Sequence, residues 1–96
     1  MKHIKLDDIS YLVMRNERDA LNMEELNEAW TDYFKDFDYV LGDYAYGKLR
    51  LKGFNSKTNK NFKAINDIDK VDEYLEKYCA YQCRYFLISK DNNEGV

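Results

Sequence analysis

A run of four consecutive apolar residues, YFLI at 85–88, constrains the fold of this chain most strongly. A strand with one exposed face alternates apolar and polar residues, whereas an unbroken apolar run is typical of a strand that is buried on both faces. We therefore predict that CRYFLIS, at 83–89, forms a central strand of a β-sheet. Because the chain has only 96 residues, we expect a single domain at 1–90 and a frayed tail at 91–96.

The rest of the chain divides into strand-like and helix-like segments. Apolar residues recur every three or four positions in two segments, which predicts helices at 23–35 and 68–79. Asn22, followed three residues later by Glu25, is typical of the start of a helix. The predicted strands besides 83–89 are HIKLDD at 3–8 with its turn at Asp7 and Asp8, ISYLVMR at 9–15, YVL at 39–41, KLRLK at 48–52 and an optional strand FKAI at 62–65. The order ββ-α-ββ(β)-α-β predicts an α+β fold, with two helices packed on a mainly antiparallel sheet of about five to six strands.

The stretch FDYVLGDYAYGKLRLKGF, at 37–54, predicts a hairpin. We expect DYAYG to form its turn. Pairing Asp43 with Lys48 would place Val40 opposite Leu51, which gives one apolar face and one face with an acid–base pair. A shift of one residue would destroy this arrangement.

A basic segment stands out in this acidic chain, whose net charge is -3. Residues 48–63 contain no acidic residue and six basic ones, which are Lys48, Arg50, Lys52, Lys57, Lys60 and Lys63. Alternate positions of a strand lie about 6.6 Å apart, so the first three would form a row about 13 Å long. Tyr44 and Tyr46 in the predicted turn would supply rings that stack on bases. These eight residues form the candidate site for binding RNA or another polyanion.

The basic segment is also compatible with functions that involve no nucleic acid. Acidic residues elsewhere in the chain would neutralise the basic row, and lysines on an exposed strand also prevent edge-to-edge aggregation. The tripeptide KGF at 52–54 matches only the beginning of the RNA-binding RNP1 pattern, and the next two residues break the match. A protein–protein interaction adaptor that uses Tyr44 and Tyr46 is an equally supported hypothesis.

The residues available for catalysis disfavour an enzyme. The chain has one histidine, His3, close to the amino terminus. Cys79 and Cys83 are separated by three residues, which is not the CxxC spacing of a redox motif, and they lack the further ligands of a zinc site. We predict no catalytic residue, no metal and no cofactor.

Three acidic residues leave a lesser alternative open. Asp36, Asp38 and Asp43 are hard oxygen ligands, and they would hold a divalent cation only if the fold brought them together. A metal-dependent hydrolase would need that convergence.

The chain contains no segment that is typical of membrane insertion or secretion. No apolar run approaches the roughly 20 residues that span a bilayer, and the first ten residues lack the apolar core of a signal peptide. We therefore expect a cytoplasmic protein that does not contact a membrane. The two cysteines should be reduced in that compartment.

Two motifs resemble those of the YutD-like family of small bacterial proteins. Members of the family show F-D-Y-V-x-G-D followed by Y-G-x-L-R-L-K-G-F, which here fall on 37–43 and 46–54. A second motif, YCAYQCRYF, follows the second predicted helix, and the resemblance extends over about 4–88. It implies a compact α/β domain in a cytosolic bacterial protein, and it implies no activity. The function that we predict is therefore that of a non-enzymatic binding module.

Overall fold

The computed structural model describes residues 2–78 and 83–91. Its centre is a five-stranded sheet in which every neighbouring pair of strands is antiparallel. The strands are β1 (His3–Leu6), β2 (Ile9–Glu17), β3 (Tyr39–Ala45), β4 (Lys48–Phe54) and β5 (Tyr85–Lys90). The helices are α1 (Met23–Ala29) and α2 (Val71–Tyr78). The predicted α+β fold is confirmed, and the described residues form two α-helices and five strands in the order ββ-α-ββ-α-β.

β5 lies at the centre of the sheet, whose strand order is β1-β2-β5-β3-β4. Successive side chains of a strand point to opposite faces, and those of β5 alternate between two hydrophobic clusters. Phe86 and Ile88 belong to the cluster that contains Leu26 of α1, whereas Leu87 belongs to the cluster that contains Val71 of α2. The prediction of a central strand buried on both faces is confirmed, and the two helices cover opposite faces of the sheet.

The β1–β2 hairpin turns where the sequence predicts. Asp7 and Asp8 have φ values of 52° and 66°, and Leu6 pairs with Ile9 across the turn. Aspartate tolerates the left-handed region better than most residues because its short side chain bonds to the local backbone.

The β3–β4 hairpin turns at Tyr46 and Gly47, whose φ values are 54° and 76°. Positive φ at both central residues is typical of a type I′ turn, which matches the twist of the flanking strands. This turn has two residues, whereas pairing Asp43 with Lys48 would need a loop of four. The predicted register is therefore wrong by two residues, and Asp43 lies opposite Arg50. A shift of two residues keeps every side chain on its predicted face.

Both predicted helical spans divide into an α-helix and a 3₁₀ turn. α1 is followed by a 3₁₀ turn at Asp32–Asp36, and a 3₁₀ turn at Ile68–Lys70 precedes α2. The predicted cap of α1 is confirmed, because the side-chain oxygen of Asn22 accepts a hydrogen bond from the backbone N–H of Glu25 at 3.1 Å. Each α-helix is consequently only about two turns long, and packing on the sheet supplies most of its stability.

The segment after β4 returns to the sheet without adding a strand. The optional strand at 62–65 does not form, since Ala64–Asn66 is a 3₁₀ turn. The backbone N–H of Asn55 donates to the carbonyl of Asn66 at 2.7 Å, and the N–H of Ile68 donates to the carbonyl of Asn55 at 3.0 Å. These two bonds close residues 55–68 into a loop beside the end of β4.

Several expectations concern the carboxyl-terminal part of the chain. Cys83 is disulfide-bonded, so the expectation of two reduced cysteines is wrong at that position. The backbone N–H of Asp91 donates to the carbonyl of Ser10 at 2.9 Å, which extends the contact of this end with β2. Cys79 and residues 92–96 lie outside the described residues. Within the described parts of the chain, neither helix has the length or the apolar character needed to cross a membrane.

Gly42 allows the ring of Phe86 to pack closely against β3 at the centre of the sheet. A methyl group added at Gly42 would lie 2.2 Å from the ring of Phe86, which is fully buried. We expect Gly42→Ala to lower the free energy of unfolding by about 3 kcal/mol, because the buried ring has no space to move into. Urea unfolding measures this change.

Gly53→Ala is the matched control for that substitution. A methyl group there would lie equally close to the ring of Phe37, but Phe37 is only half-buried and can rotate outward. The loss of stability should therefore be clearly smaller. Equal losses for the two variants would contradict the role assigned to Phe86.

Tyr11 should make the stability of the protein sensitive to alkaline pH. Burial raises its pKa to about 12, and the carboxylates of Asp7 and Asp36 add to the effect. The folded protein therefore holds the phenol proton more tightly than the unfolded chain, so this contribution is complete below pH 10 and is lost as the pH rises towards 12. Between pH 8 and pH 11, the free energy of unfolding should fall by about 1.4 kcal/mol less for Tyr11→Phe than for the unsubstituted protein.

Tyr46→Phe is the control for the alkaline measurement, because the side chain of Tyr46 is fully exposed. Its urea unfolding should follow the unsubstituted protein at both pH values. If Tyr11→Phe loses stability as steeply as this control, Tyr11 is not the source of the effect.

Candidate functional site

The eight predicted site residues do not form one surface. They belong to three parts of the chain: the β4 row of Lys48, Arg50 and Lys52; the tyrosines Tyr44 and Tyr46; and the loop lysines Lys57, Lys60 and Lys63. The β4 row alternates with Leu49 and Leu51, which pack on the α1 side of the sheet. The row therefore lies on the α2 side.

Arg50 is held by an ion pair with Asp43, whose side chain is only 3% exposed. The Nε and Nη2 atoms of Arg50 donate to the two carboxylate oxygens of Asp43 at 3.1 and 2.6 Å. Nη2 also donates to the backbone carbonyl of Tyr78 at 3.2 Å. The hydrogen bonds to Asp43 raise the pKa of Arg50 above its usual value. This paired guanidinium joins β4 to β3 and to the end of α2, so the charge of Arg50 is compensated within the protein.

The two lysines of the row have different surroundings. The ammonium group of Lys52 lies 5.2 Å from the ring centroid of Phe54 and 5.5 Å from that of Tyr74, which are cation–π distances. Lys48 is exposed beside the turn. Neither lysine forms an ion pair with any carboxylate in the described parts of the chain.

Tyr44 and Tyr46 have opposite roles although only one residue separates them. Tyr44 lies within β3, not in the predicted turn, and its hydroxyl lies 3.2 Å from both the carbonyl of Ala20 and the carboxylate of Glu25. The guanidinium of Arg84 covers its ring at 4.4 Å. Burial, with a further contribution from Glu25, raises the pKa of Tyr44. Tyr44 is thus packed within the fold, and Tyr46 is the tyrosine that is free to contact a partner.

The loop lysines follow the β4 row in the sequence and have surroundings of their own. Lys57 is paired with Asp69 at 3.6 Å, and both side chains are exposed. Lys60 and Lys63 line a cavity beside the loop at 55–68, together with Phe37 and Phe62. We call this cavity the loop pocket.

The three acidic residues of the hydrolase hypothesis have separate environments. Asp43 is paired with Arg50, and one carboxylate oxygen of Asp38 accepts hydrogen bonds from the backbone N–H and the hydroxyl of Ser56 at 3.0 and 3.1 Å. Asp36 is exposed at the loop pocket. Among residues 2–78 and 83–91, no three histidine, cysteine or acidic side chains are grouped as a metal site requires. The convergence that a metal-dependent hydrolase would need is not found there.

A groove between β4 and α2 brings together residues that the sequence pattern did not connect. It has a volume of about 230 Å³, and we call it the basic groove. Its lining consists of Lys52, Phe54, Ile65, Lys70, Glu73, Tyr74, Lys77 and Tyr78. Tyr78 and Ile65 are 59% and 79% exposed, and none of its three lysines is ion-paired within the described residues. The spacing of Lys70, Tyr74 and Lys77 indicates one helix face, but only the packing of α2 places that face beside Lys52.

The outer edge of β4 is open beside this groove. β4 pairs with β3 alone in the described sheet. In a hairpin with a two-residue turn, the pair next to the turn is hydrogen-bonded and the pairs then alternate, so the backbone groups of Arg50 and Lys52 face β3. Those of Leu49 and Leu51 therefore face outward, and they make no other backbone hydrogen bond among the described residues.

A family model, a curated protein and a solved structure are similar to this chain. The family model described as "Putative antitoxin YutD-like" matches residues 5–89. A curated relative from Bacillus subtilis (strain 168), described as "Putative antitoxin YutD", is 32% identical over 87 residues, which cover 91% of this chain and 96% of the relative. The solution NMR structure of protein yutD from B. subtilis is similar with a TM-score of 0.79 and 30% identity, covering 96% of this chain and 84% of that one.

The ion pair of Arg50 should stabilise the fold. Arg50→Met removes both side-chain donors from the buried carboxylate of Asp43, and we expect the free energy of unfolding to fall by about 2 kcal/mol. Lys48→Met is the matched control, because Lys48 is exposed in the same row and its loss should cost less than about 0.5 kcal/mol. Urea unfolding at pH 7 measures both. A loss for Arg50→Met no larger than that of the control would show that the pair does not stabilise the fold.

Proposed function

Because the chain belongs to the YutD-like family, in which a curated relative carries the description "Putative antitoxin YutD", we propose that it binds a partner protein as an antitoxin binds its toxin. The binding element in this proposal is the open edge of β4 together with the basic groove. An extended, acidic segment of the partner would occupy both. No catalytic step is part of the function.

The unpaired backbone groups on the outer edge of β4 carry the proposal. An extended segment can add to such an edge as a further strand, with main-chain hydrogen bonds that supply affinity. The outward groups of Leu49 and Leu51 would pair with that segment. Alternate side chains of the added strand would then lie on the α2 side, where the basic groove can select among them.

The chemistry of the groove favours an acidic segment. Lys52, Lys70 and Lys77 present ammonium groups without an ion-paired carboxylate in the described chain, and Glu73 is the one acid in the lining. Opposite charges on the partner would steer its approach and fix the register of the added strand. Exposed Tyr78 and Ile65 would supply apolar contact, which gives affinity beyond charge.

Binding of RNA or another polyanion is the second candidate, and the same unpaired lysines favour it. The β4 row of three charges is weakened as a track for a nucleic-acid backbone, because Asp43 compensates Arg50. Tyr44, one of the two proposed stacking residues, is packed beneath Arg84 and bonded to the α1 side. The geometry therefore supports a protein partner better than a nucleic acid. Both candidates assume a cytosolic protein, which stays a prediction.

Two short ligands distinguish these candidates by NMR titration and amide hydrogen exchange. One is a peptide of alternating glutamate and valine, and the other is single-stranded RNA of similar length. In the free protein, the amides of Leu49 and Leu51 should exchange quickly, whereas those of Arg50 and Lys52 should be protected by β3. We expect the peptide to protect Leu49 and Leu51 and to shift the resonances of the groove residues.

A charge-reversal pair completes this test. Lys52→Glu with Lys77→Glu should weaken peptide binding about tenfold or more. Lys2→Glu with Lys5→Glu makes the same charge change at β1, on the opposite edge of the sheet, and should leave the affinity nearly unchanged. If the RNA binds with a steep salt dependence and the peptide does not bind, the RNA candidate is correct. If neither ligand binds, this surface is not the site of either function.

A further inference from the structure

The loop pocket is a second cavity, lined mainly by the loop at 55–68 and by residues that precede β3. Its volume is about 530 Å³, which is within the range of small-molecule sites. Tyr33, Phe37 and Phe62 provide aromatic surface, and Lys60 and Lys63 provide positive charge. The proposed partner surface uses none of these residues.

The aromatic wall lies against β4. The ring of Phe37 lies directly against Gly53, so closely that an added methyl group there would be 2.2 Å away. Tyr33 contacts Phe37 edge to face, with ring centroids 5.2 Å apart. Two thirds of Tyr33 is exposed, and its side chain belongs to neither hydrophobic cluster. An exposed aromatic surface of this kind is suited to stack on a flat ring.

Asn55 is a buried polar residue in the lining of this pocket, and it is only 1% exposed. Its side-chain oxygen accepts hydrogen bonds from the backbone N–H of Asp38 at 2.9 Å and from the side chain of Asn59 at 3.2 Å. The bond from the backbone sets which end of the amide is the oxygen. The Nδ2 group then has no hydrogen-bond acceptor among the described residues. A water molecule, or a ligand atom that reaches the floor of the pocket, would satisfy this buried donor.

Polar residues at the rim of the loop pocket supply a positive charge and a hydrogen-bond acceptor in addition to the donor of Asn55. The ammonium groups of Lys60 and Lys63 have no ion pair within the described part of the chain and can bind a phosphate. The exposed carboxylate of Asp36 can accept hydrogen bonds from amino or hydroxyl groups. Asn55 supplies a donor for a ring oxygen or nitrogen. A flat heterocycle, hydroxyl groups and a phosphate occur together in a nucleotide.

We propose that the loop pocket binds a free nucleoside monophosphate. The base stacks on the wall of Phe37, Tyr33 and Phe62 and accepts a hydrogen bond from Asn55. The phosphate lies between Lys60 and Lys63. This site is separate in its chemistry from the edge of β4, so either proposal can fail without the other.

Titration with AMP, GMP, CMP and UMP, followed by NMR, tests the site. The side-chain amide signals of Asn55 report directly on the missing acceptor. We expect at least one nucleotide to shift them together with the signals of Phe37 and Lys63. Nucleoside alone and inorganic phosphate alone should each bind at least about tenfold more weakly, because each lacks one part of the recognition.

The variants change exposed residues, because substitutions there should leave the fold intact. Lys60→Glu with Lys63→Glu should weaken nucleotide binding about tenfold or more, and Lys2→Glu with Lys5→Glu should leave it unchanged. Inorganic phosphate that binds as tightly as the nucleotide, or nucleotide binding without a shift of the Asn55 amide, would overturn the proposal. Lack of binding by all four nucleotides would overturn the proposal as well.

A short RNA separates the free nucleotide from a nucleotide within a strand. Tetranucleotide RNA should bind no more tightly than the best mononucleotide. If it binds more tightly, and if Lys52→Glu with Lys77→Glu removes the difference, the loop pocket is part of an RNA site and the free-nucleotide proposal is wrong.

Discussion

The insertion of β5 between β2 and β3 is the constraint on which the rest of the structure depends. The two hairpins of the sheet, β1–β2 and β3–β4, pair with each other only through this last strand. Both hydrophobic clusters draw residues from β5, so neither face of the sheet is complete until residues 85–90 are in place. Pairing between strands so distant in sequence makes folding slow relative to a helical protein of this size. β5 must also fit closely against β3, because the ring of Phe86 leaves no space for a methyl group at Gly42.

This arrangement also determines where a binding surface can lie. With β5 at the centre, the edges of the sheet are β1, which has four residues, and β4, which has seven. The longer edge is the one next to α2, and the bond from Arg50 to the carbonyl of Tyr78 ties the two elements together. Asp43 and Arg50 thus position the edge through an ion pair whose carboxylate is buried, and Lys48 and Lys52 place on it the kind of charge that discourages edge-to-edge pairing. In the proposed complex, Lys52 would also favour an acidic partner.

Sequence patterns predicted the parts of this fold that depend on local periodicity. The unbroken apolar run at 85–88 placed the central strand, and Asn22 marked the start of α1 correctly. The register of β3–β4 was out of reach, because it depends on a positive φ at Tyr46, a residue that seldom adopts one. The basic groove depends on how α2 packs against β4, which brings Lys77 beside Lys52. No spacing along the chain shows that proximity, whereas the expected cross-strand acid–base pair of Asp43 does form, with Arg50 in place of Lys48.

The loop at 55–68 connects the two proposed sites physically. Ile65 lines both the basic groove and the loop pocket, and it is largely exposed between them. The loop is held at its ends by backbone bonds between Asn55 and residues 66 and 68, whereas Ile65 lies in a single 3₁₀ turn between those anchors. A ligand that moved Ile65 from one side would change the surface that is offered on the other. Thermodynamic linkage makes any such effect reciprocal: a nucleotide that strengthens partner binding must itself be bound more tightly by the complex.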